Sequence, residues 1–340
     1  MKKLCTGLLL VVCLLAGCAP QQPPVTSTAP QSSDRTTPSA TTASATTTTT
    51  QATPELPSAL AEQPEAGEHP IKVYVVEEKK IVEMPVEEYL YGVVAGEMRS
   101  DWPQEALRAQ AVVARTFLLY FLDHHDGSMY EGADISTDVA ECQAYNAEGI
   151  NDSIRQAVND TRGMALCYDG QYINAWFHSC AGGKTATAPE GLNYKEENPP
   201  YIQVVDSPEE EAPAEFLEWE GAFEEDAVEE ALEQMGVNAE LTSVSIAKRG
   251  PSGRCTQLEI GGKLVSCVEL RTALDPKVFR STQLTSVSLE DGSLIVSGKG
   301  FGHGVGMSQW GAYTMAQQGE DYRSILAHYY VGAEIVNAWE

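Results

Sequence analysis

The 340-residue sequence predicts an α+β fold, with helices packed on antiparallel sheets and hairpins in a single large domain. Segments with apolar residues at helical spacing occur early and late in the folded part of the chain. The segment between them consists of short alternating runs joined by Asp-Gly and Gly-Gly turns, which is typical of strands. Strands and helices do not alternate regularly, so a doubly wound parallel sheet is not expected.

The amino terminus has the features of an export signal. Lys2 and Lys3 precede an apolar run over residues 8–15, which is too short to span a bilayer. The run ends in LAGC, which is similar to the cleavage site of bacterial lipoproteins. This pattern predicts a signal peptide over residues 1–17 and lipidation of Cys18, with an ordinary signal peptide as the alternative. We therefore expect an extracytoplasmic protein, lipid-anchored to the outer face of the cell membrane.

A tether is predicted over residues 18–68. These residues are mainly Thr, Ser, Pro, Ala and Gln, with too little apolar surface to form a core. A flexible segment of this kind would let an anchored domain reach well beyond the membrane.

The chain is strongly acidic, with a net charge of −27. This charge argues against nucleic acid as a partner. Residues 206–240 contain no Lys or Arg. We expect them to belong to a solvated acidic insert, about residues 206–280, in the strand-rich middle of the domain.

The folded domain, residues 69–340, begins with a predicted strand, IKVYVV. The next segment, MPVEEYLYGVVAGEM, predicts a helix because Pro85 and two glutamates stand where a helix start favours them. A second helix is predicted after Asp101, with Pro103 in its first turn and an apolar stripe along one face. A third, SIRQAVNDTRG, ends at Gly163.

Hairpins and short helices follow. MALCYDGQYINAWFHS and LTSVSLEDGSLIVSG each contain an Asp-Gly turn between alternating runs. The middle segment predicts a helix over residues 223–235 and strands near Val244 and Leu258. SQWGAYTMAQQG and YRSILAHYYVG predict two helices that each end at a glycine.

Residues 298–311, GKGFGHGVGMSQWG, carry a glycine at every second position from Gly300 to Gly306. A glycine-rich loop before a helix can bind phosphate, but this loop lacks the third glycine of the dinucleotide fingerprint and has no G-K-[ST] sequence. Since the βαβ context is also missing, we do not expect a nucleotide site. Glycines here would let the backbone approach a ligand closely.

Two charged residues are candidates for catalysis. Glu97 ends the apolar, glycine-rich run GVVAGEM, a setting that raises the pKa of a carboxyl and suits a general acid. A solvent-facing glutamate at a helix end is the alternative. Arg115 lies on a helix otherwise lined by Ala, Val and Leu, and its planar guanidinium can orient a carboxylate or carbonyl. An ordinary surface arginine is the alternative there.

The glycine loop and the following helix contribute further candidates. His303 is flanked by two glycines, and Gln309 and Trp310 stand at the predicted helix start. A tryptophan with polar neighbours is typical of sugar stacking, and also of a core anchor.

Four blocks occur in the order VEEYLYGVVAGEM, WPQEALRAQAVVARTF, FHSCAGGKT and GFGHGVGMSQWGA. This series closely resembles the signature of the stage II sporulation protein D (SpoIID/LytB) family over about residues 70–337. The resemblance implies a lytic transglycosylase that cuts peptidoglycan glycan strands, preferably strands stripped of stem peptides, in sporulation or cell-wall remodelling. Glu97 would be its catalytic acid and base, Arg115 a partner of the substrate or transition state, and no cofactor would be required. The cleft would be lined by His303, Ser308, Gln309 and Trp310.

The same resemblance raises the possibility of a structural zinc ion, because some family members look as though they bind zinc through Cys and His in the FHSCAGGKT region. His178 and Cys180 are two residues apart and would share one face of a strand. Cys142 could add a third ligand. A Cys142–Cys180 disulfide or free thiols are the alternatives, and Cys255 with Cys267, which flank a predicted hairpin, are candidates for a separate disulfide.

Two other functional classes are open. A non-catalytic wall-binding protein that stimulates a separate amidase also fits the resemblance, since family members of a modifier type are described in that way. A cysteine hydrolase using Cys180 with His178 or His303 is disfavoured, because two residues that are two apart on a strand are badly placed for attack and proton transfer. The lipoprotein signal replaces the membrane span typical of the sporulation protein, which leaves a vegetative role open.

Overall fold

The computed structural model describes residues 53–57, 60 and 69–339. The predicted signal peptide, Cys18 and most of the predicted tether lie outside these residues. The carboxyl-terminal end of the predicted tether is not free, because Leu60 is 1% exposed and belongs to the main hydrophobic core. Leu56 packs against the same core, so these leucines supply apolar area that the rest of the tether lacks.

The described residues from 69 to 160 form three strands and three helices. They are β1 (Pro70–Val75), β2 (Lys80–Pro85), α1 (Val86–Glu97), α2 (Gln104–His124), β3 (Ile135–Ser136) and α3 (Asp152–Asp160). Strand β1 is central, antiparallel to β2 and parallel to β3. The three helices lie close to the predicted positions, and Asn151 caps α3 by accepting a hydrogen bond from the Ile154 N–H at 3.1 Å.

Strands dominate the middle of the chain. The elements here are β4 (Met164–Tyr168), β5 (Gln171–Tyr172), β6 (Phe177–His178), α4 (Ala188–Leu192), α5 (Ala214–Leu217), β7 (Trp219–Glu224), α6 (Glu225–Gln234), β8 (Val244–Arg249), β9 (Cys255–Ile260), β10 (Lys263–Ser266), α7 (Cys267–Ala273), β11 (Leu284–Glu290) and β12 (Ser293–Gly298). The predicted Asp-Gly turns join β4 to β5 and β11 to β12.

The chain closes with β13 (Met307–Ser308), α8 (Gln309–Gln317), α9 (Tyr322–Tyr329) and β14 (Glu334–Asn337). Strand β14 returns to pair with β4, and β13 runs parallel to β6. Several small sheets among helices confirm the predicted α+β class.

The described residues form two large hydrophobic cores. The first surrounds α2, whose buried residues occupy nearly every side of the helix because α1, α3, α8, α9 and β4 all contact it. The second extends from Trp219 to Val296 and is enclosed by β7–β12 with α6 and α7. The strand-rich insert therefore continues past residue 280 and has a core of its own. Its acidic helix α6 buries Val228, Ala231 and Leu232 and leaves most of its carboxylates exposed.

The glycine loop passes over the segment that contains β6. Gly300, Gly302, Gly304 and Gly306 all have positive φ angles. A Cβ at Gly304 would overlap the guanidinium of Arg254, and one at Gly306 would overlap the carbonyl oxygen of Trp176. At these two positions only glycine fits, since other residues rarely adopt such φ angles and no space is left for a side chain. The loop thus packs the chain closely against itself.

Candidate active site

Glu97 is the last residue of α1, at a point where another segment crosses the helix. A Cβ at Gly96 would lie 2.7 Å from the backbone of Ala144, so glycine is what allows this close crossing. One turn earlier, the Asn146 N–H donates a hydrogen bond to the Gly92 carbonyl at 2.9 Å. The crossing brings the N–H of Ala144 to the Glu97 carboxyl.

The Glu97 carboxyl is buried and held at both oxygens. Its Oε1 accepts a hydrogen bond from the Ala144 N–H at 2.7 Å. The side-chain amide of Gln309 donates to Oε2 at 3.3 Å and to the Glu97 carbonyl oxygen at 3.1 Å. Glu97 is 8% exposed and Gln309 is 2% exposed. The structure thus brings together two of the residues that the sequence singled out.

Burial raises the pKa of Glu97 from 4.5 to about 7, and the hydrogen bonds from Ala144 and Gln309 oppose part of this rise. No second carboxylate within the described part of the chain contributes to the pKa of Glu97. A carboxyl with this pKa is present in both protonation states near neutral pH, as a group that must donate and then accept a proton requires.

The raised pKa makes the folding stability depend on pH. Because the folded pKa lies above 4.5, the neutral carboxyl stabilises the fold fully below that pH, and the contribution is lost as pH rises through about 7. We expect Glu97→Gln to be more stable than the wild type at pH 8, by up to about 3 kcal/mol, with a smaller difference near pH 5. Thermal denaturation of both proteins at the two pH values measures this. An equal difference at both would contradict a buried titrating carboxyl.

Aromatic rings adjoin Gln309. The Trp310 ring lies 4.6 Å from that of Trp102 and 5.1 Å from that of Tyr313, measured between centroids. Trp310 and Tyr313 are half-buried, so part of each ring faces solvent. Trp102 and Tyr313 were not predicted as site residues from the sequence. The position of Trp102 at the start of the WPQEAL block was the available signal.

Ser308 lies next to this site but has a structural position. It is fully buried, its hydroxyl donates to Glu209 Oε1 at 2.5 Å, and its oxygen caps α8 by accepting from the Gly311 N–H at 3.1 Å. Glu209 also accepts hydrogen bonds from the N–H groups of Ala181 and Gly183. The predicted cleft position of Ser308 is therefore not supported, because all of its contacts are internal. Glu209 was missed because it stands in an otherwise solvated acidic run.

His303 lies in a different environment from Glu97. Its Nδ1 accepts a hydrogen bond from the Val305 N–H at 3.0 Å, and its ring lies 5.5 Å from that of His178. It lines a cavity of about 510 Å³ near α4 and α7. Burial, together with the charges of Arg271 and Arg254, lowers the pKa of His303 to about 3, so the imidazole is neutral.

Arg115 is placed in the core. It is 0% exposed, and its guanidinium pairs with Glu87 on α1 through contacts of 2.6 and 3.0 Å. It also donates to the Met164 carbonyl at 2.9 Å. A side chain with no exposed area cannot contact a glycan, so the structure does not support the predicted catalytic role. Arg115 instead links α1 and α2 to β4.

The three residues predicted for zinc do not fit a metal site. The Cys142 thiol lies beside Glu141 and Ser136, whereas the Cys180 thiol lies beside Glu209. His178 Nδ1 is occupied by a hydrogen bond to the Val305 carbonyl at 3.2 Å. Nowhere among the described residues do three His, Cys, Asp or Glu side chains come together to hold a metal ion. His178 and Cys180 share a sequence block, but these residues and Cys142 do not surround a common centre.

All five cysteines in the described part of the chain are buried free thiols. The predicted Cys142–Cys180 and Cys255–Cys267 disulfides are therefore absent, and Cys267 is hydrogen-bonded to the Cys255 thiol instead. Burial raises the pKa of Cys180 far above its usual range. A thiol of this kind is a poor nucleophile, which further disfavours a cysteine hydrolase.

Comparison with known proteins identifies the family of this chain. A family model described as "Stage II sporulation protein" matches residues 74–168, which include Glu97 and Ala144. The stage II sporulation protein D of Bacillus amyloliquefaciens is 31% identical over 293 residues, covering 81% of this chain and 82% of its own. The chain belongs to the SpoIID family.

The chain is also similar to proteins that are not named for sporulation. An uncharacterised protein of Brachyspira hyodysenteriae is 37% identical over 257 residues, covering 75% of this chain and 67% of its own. A Bacillus subtilis protein named "Amidase enhancer" is 28% identical over 294 residues, covering 73% of this chain and 40% of its own. A domain family of unknown function matches residues 192–306, which contain the whole second core. In the described residues, no helix is long and apolar enough to cross a membrane.

Proposed function

We propose that this SpoIID-family protein is a peptidoglycan lytic transglycosylase. It would cleave the bond between N-acetylmuramic acid and N-acetylglucosamine and leave 1,6-anhydro-N-acetylmuramic acid ends. The observation that supports this most directly is the buried Glu97 carboxyl, which has a pKa of about 7 and accepts its hydrogen bonds from a backbone N–H and a side-chain amide. Ordinary glycosidases need two carboxyl groups, whereas intramolecular ring closure needs only one.

In the proposed reaction Glu97 acts twice. Its neutral carboxyl donates a proton to the glycosidic oxygen as the bond from that oxygen to C1 of N-acetylmuramic acid breaks. The resulting carboxylate takes the proton from the C6 hydroxyl of the same sugar as this oxygen bonds to C1. Protons and bonds balance, and no water is consumed.

The hydrogen-bond donors next to Glu97 favour its ionised form, which exists between the two proton transfers. The Ala144 N–H and the Gln309 amide both donate to the carboxyl, so they stabilise the negative charge after the first proton transfer. Low exposure of the group limits access of water, which would otherwise compete with the C6 hydroxyl.

The aromatic cluster provides a surface for sugar rings. Trp310 and Tyr313 are half-buried and lie beside Gln309, which contacts Glu97. Sugar rings stack on exposed aromatic faces because both surfaces are flat and partly apolar. We therefore place one or more sugar units of the strand against these two rings.

The SpoIID relatives support a role in the cell wall, in sporulation or in vegetative remodelling. Strands stripped of stem peptides are the proposed substrate, and the predicted lipid anchor at Cys18 would hold the enzyme at the outer face of the membrane. The relative named as an amidase enhancer supports a second candidate, in which the protein binds the wall and stimulates a separate amidase.

Product analysis tests the proposed reaction. The protein from residue 53 onward, which retains Leu56 and Leu60 of the main core, is incubated with glycan strands without stem peptides, and soluble products are identified by mass spectrometry. Anhydro-muramic ends are the expected result. Reducing ends would indicate a hydrolase that uses water, and strands that are bound but not cut would favour the amidase-stimulating role.

A further inference from the structure

Two neighbouring cavities lie where α4 and the residues after it meet the insert. One has a volume of about 520 Å³ and reaches β8 and β9, and the other, of about 510 Å³, contains His303. Both are lined by Asn193 and Val268. The Asn193 amide donates a hydrogen bond at 2.6 Å to Glu269, which lines the second cavity. We call the two together the junction groove.

The junction groove is cationic in a strongly acidic protein. Four basic and two acidic side chains line it, while the whole chain has a net charge of −27. The basic side chains are Lys195, Lys248, Arg249 and Arg271, and the acidic ones are Glu190 and Glu269. Two further cavities, near α5 and β7, have the opposite balance, with Lys299 among several glutamates. Among these four cavities, basic side chains outnumber acidic ones only in the two that form the junction groove.

Both acidic side chains of the groove are already engaged within the protein. Glu190 is buried and accepts hydrogen bonds from the Ser252 N–H at 3.1 Å and from its hydroxyl at 2.6 Å. Glu269 accepts from Asn193. Lys195 and Lys248 are exposed, so their charges face a ligand in solvent. Arg249 is also exposed, but its Nη1 donates to the carbonyls of Gly253 at 2.7 Å and Leu284 at 2.9 Å.

A buried cation reinforces this potential from beneath. Arg254 is 0% exposed, and its Nε and Nη1 atoms have no hydrogen-bond partner among the described residues. Arg254 and Arg271 both act to keep His303 uncharged, which shows that their positive potential reaches the wall of the groove. Glu190 and Glu209 already act on Arg254, and an anion in the groove would be attracted to the same positive potential.

We propose that the junction groove binds the carboxylates of a glycan strand from which the stem peptides have been removed. Each N-acetylmuramic acid carries a lactyl carboxylate, which is free on a stripped strand and becomes a neutral amide where a stem peptide is attached. A cationic groove that contacts the sugars therefore meets a carboxylate directly on the sugar of a stripped strand, whereas a stem peptide replaces it with an amide and carries its own charges farther from the sugar. This inference rests on the proposed function and assigns a substrate feature to residues remote from Glu97.

One glycan strand can reach both the junction groove and Glu97. His303 of the groove and Gln309, which contacts Glu97, are six residues apart, and six residues span at most about 21 Å. An oligosaccharide of several sugars extends over such a distance. The groove would thus hold one part of the strand while another part lies at Glu97.

Binding measurements test the groove separately from the chemistry. The Glu97→Gln protein, which should not turn over its ligand, is titrated with stripped glycan oligomers and with the same oligomers after amidation of their carboxylates. We expect the stripped form to bind about tenfold more tightly, and the preference to weaken with added salt. Adding Lys195→Gln and Lys248→Gln should remove the preference. Adding Lys263→Gln, an exposed lysine of the insert outside the groove, should preserve it.

Equal affinity for the two oligomers, or a preference that survives loss of both groove lysines, would overturn the inference. Tighter binding of a polyglycerol phosphate chain than of the stripped oligomer would also overturn it, by assigning the groove to a phosphate polymer. Cleavage of the stripped oligomer by the wild-type protein is measured in parallel. Cleavage without charge preference would reject the groove alone, and charge-selective binding without cleavage would reject the proposed reaction alone.

Discussion

Replacing Glu97 with Gln is expected to lower the rate of glycan cleavage by about 10²–10⁴-fold, the range typical for loss of a general acid or base. The amide is nearly the same size as the carboxyl but can neither give a proton to the glycosidic oxygen nor take one from the C6 hydroxyl. Because the reaction uses this one group twice, no other side chain in the proposed scheme can replace it. The rate is measured as anhydro-product released per amount of folded protein.

A matched control is available on the same helix. Glu88 is exposed on α1, so Glu88→Gln removes an equal charge without touching the buried site, and its cleavage rate should stay close to that of the wild type. Wild-type cleavage should also decline as pH rises through about 7, since Glu97 must begin the cycle protonated. Full activity of Glu97→Gln would reject the proposed mechanism and favour the amidase-stimulating role.

Replacing Arg115 with Met is expected to lower the free energy of unfolding by about 3–5 kcal/mol, because it leaves the buried Glu87 carboxylate without its cation. Glu87 is 4% exposed, so water cannot take the place of the guanidinium. On the same helix, Arg108 pairs with Asp160 at 2.5 Å, but its side chain is 22% exposed. Arg108→Met should therefore cost only about 1 kcal/mol. Chemical denaturation of both variants gives the comparison.

The double variant Glu87→Gln/Arg115→Met separates a structural role from a catalytic one. This variant removes the unpaired Glu87 carboxylate, so we expect it to recover part of the lost stability. It should cleave glycan at near the wild-type rate per folded molecule. A stable double variant with no activity would restore the catalytic role that the sequence predicted for Arg115. Unchanged stability of Arg115→Met would contradict the buried ion pair itself.

The sequence was most informative where structure follows local pattern. Pro103, immediately before α2, marks a helix start by residue type, and Asp169-Gly170 marks a tight turn. Glu97 could be singled out because an acid in an apolar, glycine-rich run is unusual. Gln309 could be named as a cleft residue, although only the fold brings it to Glu97.

Partners that carry no local signal could not be predicted. Ala144 contributes a backbone N–H, which every residue but proline has, so its residue type gives no indication of its role. Glu87 lies 28 residues before Arg115, and the pair is recognisable only once α1 packs against α2. His178 and Cys180 are close in sequence, but the backbone directs them to different neighbours, so the motif spacing suggested a metal site that the fold does not form.

The second donor to Glu97 also determines when the site becomes complete. Gln309 lies 212 residues after Glu97 along the chain, and its amide contacts both the carboxyl and the main-chain carbonyl of that residue. Synthesis proceeds from the amino end, so α1 and α2 are made long before their partner in α8. A nascent chain therefore holds its acid without this second donor until almost the entire domain has been produced. The order of synthesis thus delays completion of the site until the molecule is nearly finished.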